Sequence, residues 1–174
     1  MVRIKSLSKA YLLAGERIGY AVAEPGLLES IEQAHWVLSM SPSVTAQTNA
    51  ARAMVEDSPE RLPRLCALLR KSRDRAVAEL ADIAGLEIYP PLAGVFLWIS
   101  FPESHLSGVD IAHRCRHHGL MVMPGEACGQ SDPPSIRANF ALSEDTVVQA
   151  FHALGNAFCN MDSITMPCVT RRDP

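Results

Sequence analysis

The chain has 174 residues, 48% of them apolar and 20% charged, with a net charge of −3 at neutral pH. That length and apolar content suit one ordinary domain with a core. The slight negative charge favours neither nucleic acid nor an anionic membrane as a partner. No apolar run approaches the roughly 18 residues of a membrane helix. Residues 1–9 lack an apolar stretch of signal-peptide length, so a cytoplasmic location is the default expectation.

In chain order, Val2 to Leu7 has the apolar content of a short buried strand, and a second strand, flanked by Gly15 and Gly19, is expected over Arg17 to Ala23. Pro25 suits the first turn of a helix that runs to Met40 on the spacing of Leu27, Leu28, Ile31, Ala34, Trp36 and Leu38. Ser41-Pro42-Ser43 breaks it, and Ser43 is the expected N-cap of a helix to Val55. Asp57-Ser58-Pro59-Glu60 reads as the start of a long helix, with Ser58 as cap and Pro59 at its first position. Leu62, Leu65, Leu69, Ser72, Ala76 and Leu80 give that helix an apolar stripe, and Gly85 ends it.

Strands are expected at Leu86 to Tyr89, Val95 to Phe101, Leu120 to Met123 and Ser135 to Leu142. A helix capped by Ser107 or Asp110 ends at His118 with Gly119 at C′, and Ser143 caps a last helix to Phe158. This order makes a small α+β layer. Residues 160–174 have no clear periodicity. The five cysteines, Cys66, Cys115, Cys128, Cys159 and Cys168, are odd in number and widely spaced, which argues for reduced thiols. His113 and His117 share a helical face, but Cys115 between them points elsewhere, so no metal is assigned.

Ser6-Leu7-Ser8-Lys9 is followed by Gly15, Arg17, Gly19 and Tyr20. A lysine amine forms a Schiff base with a carbonyl, and hydroxyls with an arginine hold a phosphate. Further on come Gly94-Val95-Phe96-Leu97-Trp98-Ile99, then Met121-Val122-Met123-Pro124-Gly125, then Ile136-Arg137-Ala138-Asn139-Phe140. In that order these stretches resemble the C-terminal part of the fold-type I pyridoxal-phosphate aminotransferases (class I/II), from about residue 2 to residue 159.

The resemblance implies an α/β fold: a remnant of the family's large, parallel-sheet domain over residues 1–57, a bridging helix over 58–84, a small α+β domain over 85–159 and a tail over 160–174. It implies pyridoxal 5′-phosphate as cofactor, with Lys9 as the Schiff-base lysine. Ser6, Ser8 and Arg17 then bind the cofactor, and Arg137 binds the substrate α-carboxylate, for which its planar fork is suited. It further implies an amino acid and a 2-oxo acid as substrates, and a homodimer with Ser41-Pro42-Ser43 near its interface. Lyases of the same fold are the runner-up activity.

Two departures stand out. Cys128 occupies a loop position that is often aromatic in the family. No residue here can be assigned to stack on the cofactor ring or to pair with its nitrogen, so the chain is expected to be incomplete on its own, and a non-catalytic remnant or interaction piece is the alternative.

Overall fold

The computed structural model of the protein describes residues 1–159, so the expected tail over 160–174 lies outside the described residues. The chain divides into two compact units, Met1–Arg64 and Leu65–Pro174.

In the first unit, β1 (Arg3–Ser6) pairs antiparallel with β2 (Gly19–Val22), with Ser6 opposite Gly19 and Arg3 opposite Val22. Between them lies a single helical turn, α1 (Leu7–Ala10), capped by the Ser6 hydroxyl accepting from the Ser8 N–H. Helix α2 (Pro25–Ser39) starts on Pro25, whose missing N–H costs nothing there. Helix α3 (Val44–Val55) starts where the Ser43 hydroxyl accepts from the Ala46 N–H.

One expectation needs correction. The strand at the N-terminus is not buried: all four residues of β1 are exposed, and only Leu7, just beyond it, is covered.

Helix α4 (Arg61–Leu80) begins in the first unit and continues into the second. It starts later than expected, with Ser58 to Glu60 forming a turn in which the Arg61 N–H donates to the Ser58 carbonyl. It also stops at Leu80, short of Gly85, in turns closed by the Ala81 and Ile83 N–H groups.

The second unit is a four-stranded sheet in the order β3 (Glu87–Tyr89), β4 (Phe96–Ser100), β6 (Ser135–Asn139), β5 (Met123–Pro124), every pair antiparallel. Side chains alternate across it. Leu97 and Ile99 of β4 and Ile136 and Ala138 of β6 are buried in one core. The same core takes Ala76 and Leu80 of α4, Ile111 and Cys115 of α5 (Gly108–His117), and Val147, Phe151 and Leu154 of α6 (Glu144–Cys159). Each large apolar side chain so buried contributes about 1.5–3 kcal/mol. The Leu120 to Met123 strand is shorter than expected, because the Leu120 N–H is used to close the end of α5 on the Cys115 carbonyl. No described helix is long and apolar enough to cross a membrane.

Candidate functional site

The first group of candidate residues is assembled by strand register. Ser6 stands opposite Gly19, and the Leu7 N–H donates to the Ile18 carbonyl at 3.2 Å. Beyond that bond the two strands end, β1 in the helical turn that carries Ser8 and β2 in the loop that carries Arg17. Lys9 sits on the same helical turn, which Ser6 caps. The β1–β2 pair thus brings Ser6, Ser8, Lys9 and Arg17 to one end of the two strands. The approach is close enough to require glycine at position 19, where a Cβ would lie 2.5 Å from the Lys5 carbonyl oxygen.

The loop carrying Arg17 is held in a defined shape. Arg17 has φ 53°, a left-handed conformation that non-glycine residues seldom adopt. Its guanidinium Nη1 donates to the Ala14 carbonyl at 2.9 Å. Next to it, the Glu16 carboxylate accepts from the Asn49 amide of α3 at 2.7 Å. Strained backbone of this kind persists where surrounding contacts over-determine it. Two hydroxyls, a guanidinium and an amine at one strand end form the donor set that a phosphorylated aldehyde calls for: oxygen and nitrogen donors for the phosphate, an amine for the carbonyl.

Below this turn lies a second cluster that spacing alone does not show. The Tyr11 hydroxyl donates to Asp57 at 3.1 Å. The Arg61 guanidinium lies 4.4 Å over the Tyr11 ring, pairs with the Asp57 carboxylate, and donates to the Ala10 carbonyl. Arg61 holds the Asp57 carboxyl below the usual carboxylate range, and the bond to Asp57 raises the Tyr11 phenol above its ordinary value.

Arg137 belongs to the second unit and stands on the sheet face opposite the core. Its cross-strand partners are Trp98 and Met123. The guanidinium lies 4.3 Å over the Phe96 ring, and Nη2 is 3.0 Å from the Met123 thioether sulfur. A thioether is a weak acceptor, and the Arg137 Nε–H is buried with no hydrogen-bond partner. Buried charged donors without a good acceptor are costly. The arrangement is that of a planar cation fixed by an aromatic ring and short of an oxygen acceptor.

The loop beside Arg137 is pinned from below. The Glu126 carboxylate accepts from the Gly108 N–H at the start of α5, at 2.8 Å, where negative charge is favoured. Cys128 is exposed, with its sulfur 3.7 Å from that of Met123. Cys115 is in the core, and burial pushes its thiol up to about 11. His113 and His117 are exposed on the other side of α5.

The contacts of Tyr11, Asp57, Arg61, Asn49, Phe96 and Glu126 are not foreshadowed by the sequence. They join residues far apart in the chain by side chains that follow no periodic rule; the one accessible signal is the clustering of Asp57 and Arg61 at a helix start.

The family model for "Aminotransferase class I and II" matches residues 1–154. The chain is 28% identical over 146 residues to an LL-diaminopimelate aminotransferase of Dehalococcoides mccartyi (strain CBDB1), which covers 84% of this chain and 37% of that relative. It is 29% identical over 148 residues to the arginine–pyruvate transaminase AruH of Pseudomonas aeruginosa, with 84% of this chain and 37% of the relative covered. Among solved structures, the α-aminoadipate aminotransferase LysN of Thermus thermophilus, complexed with N-(5'-phosphopyridoxyl)-L-leucine, superposes with a TM-score of 0.82 at 22% identity, covering 94% of this chain and 43% of that one. YbdL of Escherichia coli, described as having a methionine aminotransferase function, gives 0.74 at 30% identity, with 89% and 42% covered. The chain therefore spans about two fifths of the length of the relatives it matches.

Proposed function

This chain belongs to the class I and II aminotransferases, corresponding to their C-terminal part, and from that premise we propose that it serves pyridoxal-phosphate-dependent transfer of an amino group between an amino acid and a 2-oxo acid. Pyridoxal 5′-phosphate is the cofactor of this family. When bound, it supplies the aldehyde that captures the amino group and a ring that accepts electron density.

The observation that supports the reading is the antiparallel pairing of β1 with β2, with Ser6 opposite Gly19 and the Leu7 N–H on the Ile18 carbonyl, which brings the Lys9 turn and the Arg17 loop to the same end of the strand pair. Ser6, Ser8 and Arg17 would hold the phosphate of the cofactor and so orient it toward Lys9. Lys9 would hold the cofactor through its side-chain amine and, with that amine free, would serve as the base that takes a proton from the substrate α-carbon. Arg137 receives the α-carboxylate with its unpaired Nε–H and a neighbouring Nη–H. Phe96 keeps the guanidinium flat against the sheet. The full site is completed by further polypeptide of the family's kind, in a cytoplasmic homodimer.

The chain has three lysines, Lys5, Lys9 and Lys71, so one labelling experiment tests the reading with two internal standards. The purified chain is mixed with pyridoxal phosphate and reduced with borohydride, and the modified peptides are mapped. Preferential modification of Lys9, abolished by Lys9→Ala and weakened by Arg17→Gln, is the expected result. Equal modification of all three lysines would overturn it.

The open surface of α2, which has no buried residue, favours a second reading in which the chain is an interaction piece, inactive until another polypeptide covers that surface. Under that reading Lys9 preference appears only when the N-terminal segment of a relative is co-expressed with this chain.

A further inference from the structure

We infer that Tyr11, Asp57 and Arg61 form a clamp that positions Lys9, an inference that rests on the reading of Lys9 as the cofactor lysine. The turn that carries Lys9 is four residues long, and a helix of that length has almost no stability of its own. Its backbone closure is at Leu7, whose carbonyl accepts from the Tyr11 and Leu13 N–H groups at 3.1 and 3.4 Å. The turn needs an external support, and Arg61 supplies it at three points. Its guanidinium donates to the Ala10 carbonyl, one of the acceptors left open at the end of the turn. It lies 4.4 Å over the ring of Tyr11, and it pairs with Asp57. Asp57 in turn accepts from the Tyr11 hydroxyl at 3.1 Å.

The contacts that Asp57 and Arg61 make beyond their own pair fall on Ala10 and Tyr11, the two residues that follow Lys9. They originate 46 to 51 residues away, at the start of α4. An ordinary helix-start ion pair would join Asp57 to Arg61, four residues apart, and stop there. Here the same pair reaches across the unit to hold the Lys9 turn. The cluster is charge-assisted and closed: guanidinium to carboxylate, carboxylate to phenol, guanidinium to ring and to main-chain carbonyl. Tyr11, Asp57 and Arg61 are positioning residues, because none of them needs to touch the cofactor. They restrict the directions that Lys9 Nζ can take, and so raise the fraction of time it faces the phosphate-binding hydroxyls.

The full chain and four variants test this: Tyr11→Phe, Asp57→Asn, Arg61→Gln and Arg61→Lys. The first readout is hydrogen exchange at the Tyr11 and Leu13 amides. The clamp requires exchange about tenfold faster in Asp57→Asn and Arg61→Gln, with the amides of β4 and α6 unchanged as evidence that the variants are folded. The second is the ratio of Lys9 to Lys5 modification by pyridoxal phosphate and borohydride. In each case a lysine amine condenses with the aldehyde with loss of water, and hydride then adds to the C=N bond. The ratio is expected to fall about fivefold in Arg61→Gln, less in Tyr11→Phe, and to be only partly restored in Arg61→Lys, which keeps the charge for Asp57 but not the planar fork that also reaches Ala10 and lies on Tyr11.

Faster amide exchange with an unchanged Lys9:Lys5 ratio would reduce the cluster to a stability element and overturn the positioning role. Unchanged exchange would overturn the clamp itself. A wild-type chain that shows no preference for Lys9 would instead sink the cofactor reading, while the exchange data still decide whether the clamp holds the turn.

Discussion

The two units of this chain use the same kinds of element and differ in what those elements bury. In residues 65–159, Leu97, Ile99, Ile111, Ile136, Val147 and Leu154 are fully buried around one sheet face. In residues 1–64, only Leu7, Ala46 and Ala50 are buried, while Trp36, Val37 and Leu38 are 62%, 83% and 83% exposed. The second unit is held by its core. The first keeps its shape through strand pairing, helix caps and polar clusters such as Tyr11–Asp57–Arg61 and Glu16–Asn49. Both carry candidate site residues, on different supports: Arg137 stands on a sheet whose reverse face is closed, whereas Lys9 stands on a single helical turn and Arg17 on a loop, each fixed by hydrogen bonds. Large apolar patches of the kind left on α2 mark interaction surfaces or aggregation liabilities.

The contrast can be broken most strongly in the core. Ile99→Ala should destabilise the second unit by about 2–5 kcal/mol, whereas Val37→Ala should change stability by no more than about 0.5 kcal/mol. Urea unfolding followed separately at Trp98 and Trp36 measures both. Equal effects would show that the first unit has a core of its own.

A smaller loss is expected from Gly19→Ala, whose Cβ would meet the Lys5 carbonyl oxygen. Strand parting should cost about 1–3 kcal/mol, read as faster amide exchange in β1 and β2 with no change in the Trp98 transition. A coupled loss in the second unit would mean that the two share one cooperative transition.

Ser107→Ala removes the hydroxyl of a capping box at the start of α5 and should cost about 1 kcal/mol. The bonds from Ser107 hold the Asp110 carboxyl below the usual range. A depressed folded value means that its contribution is present above the ordinary aspartate range and is lost as pH falls through the depressed value. The Ser107→Ala penalty should therefore shrink in acid, measured by urea unfolding at neutral and acidic pH.

The smallest effect is kinetic and leaves stability untouched. Cys128 should react with a disulfide reagent at mildly alkaline pH, while Cys115, buried and with its thiol pushed up to about 11, should react only on unfolding. Rapid modification of Cys115 in the native chain would mean that the second unit opens far more readily than its packing implies.

Signals that act within one helical turn are legible in the sequence. Pro25 at the start of α2, Ser43 as a cap, the Ser107–Asp110 box and Gly119 with φ 80° after α5 all stand where local chemistry places them. The segment with Lys9 and Arg17 and the strand with Arg137 are recognised by resemblance. The delayed start of α4 is not legible: Ser58 to Glu60 form a turn in which the Arg61 N–H donates to the Ser58 carbonyl. Nor is the short β5, because the Leu120 N–H closes α5.

By itself the sequence determined the family, the order of the elements and the residue types at the candidate site, because caps, turn glycines, apolar periods and a lysine–arginine spacing are properties of neighbouring residues. Tertiary structure alone decided that β1 is exposed, that Arg61 reaches back to Ala10, and that the Arg137 Nε–H is buried between Phe96 and Met123 without an acceptor. Those outcomes depend on which distant segments meet, and burial, charge pairing and hydrogen-bond saturation are settled only when they do.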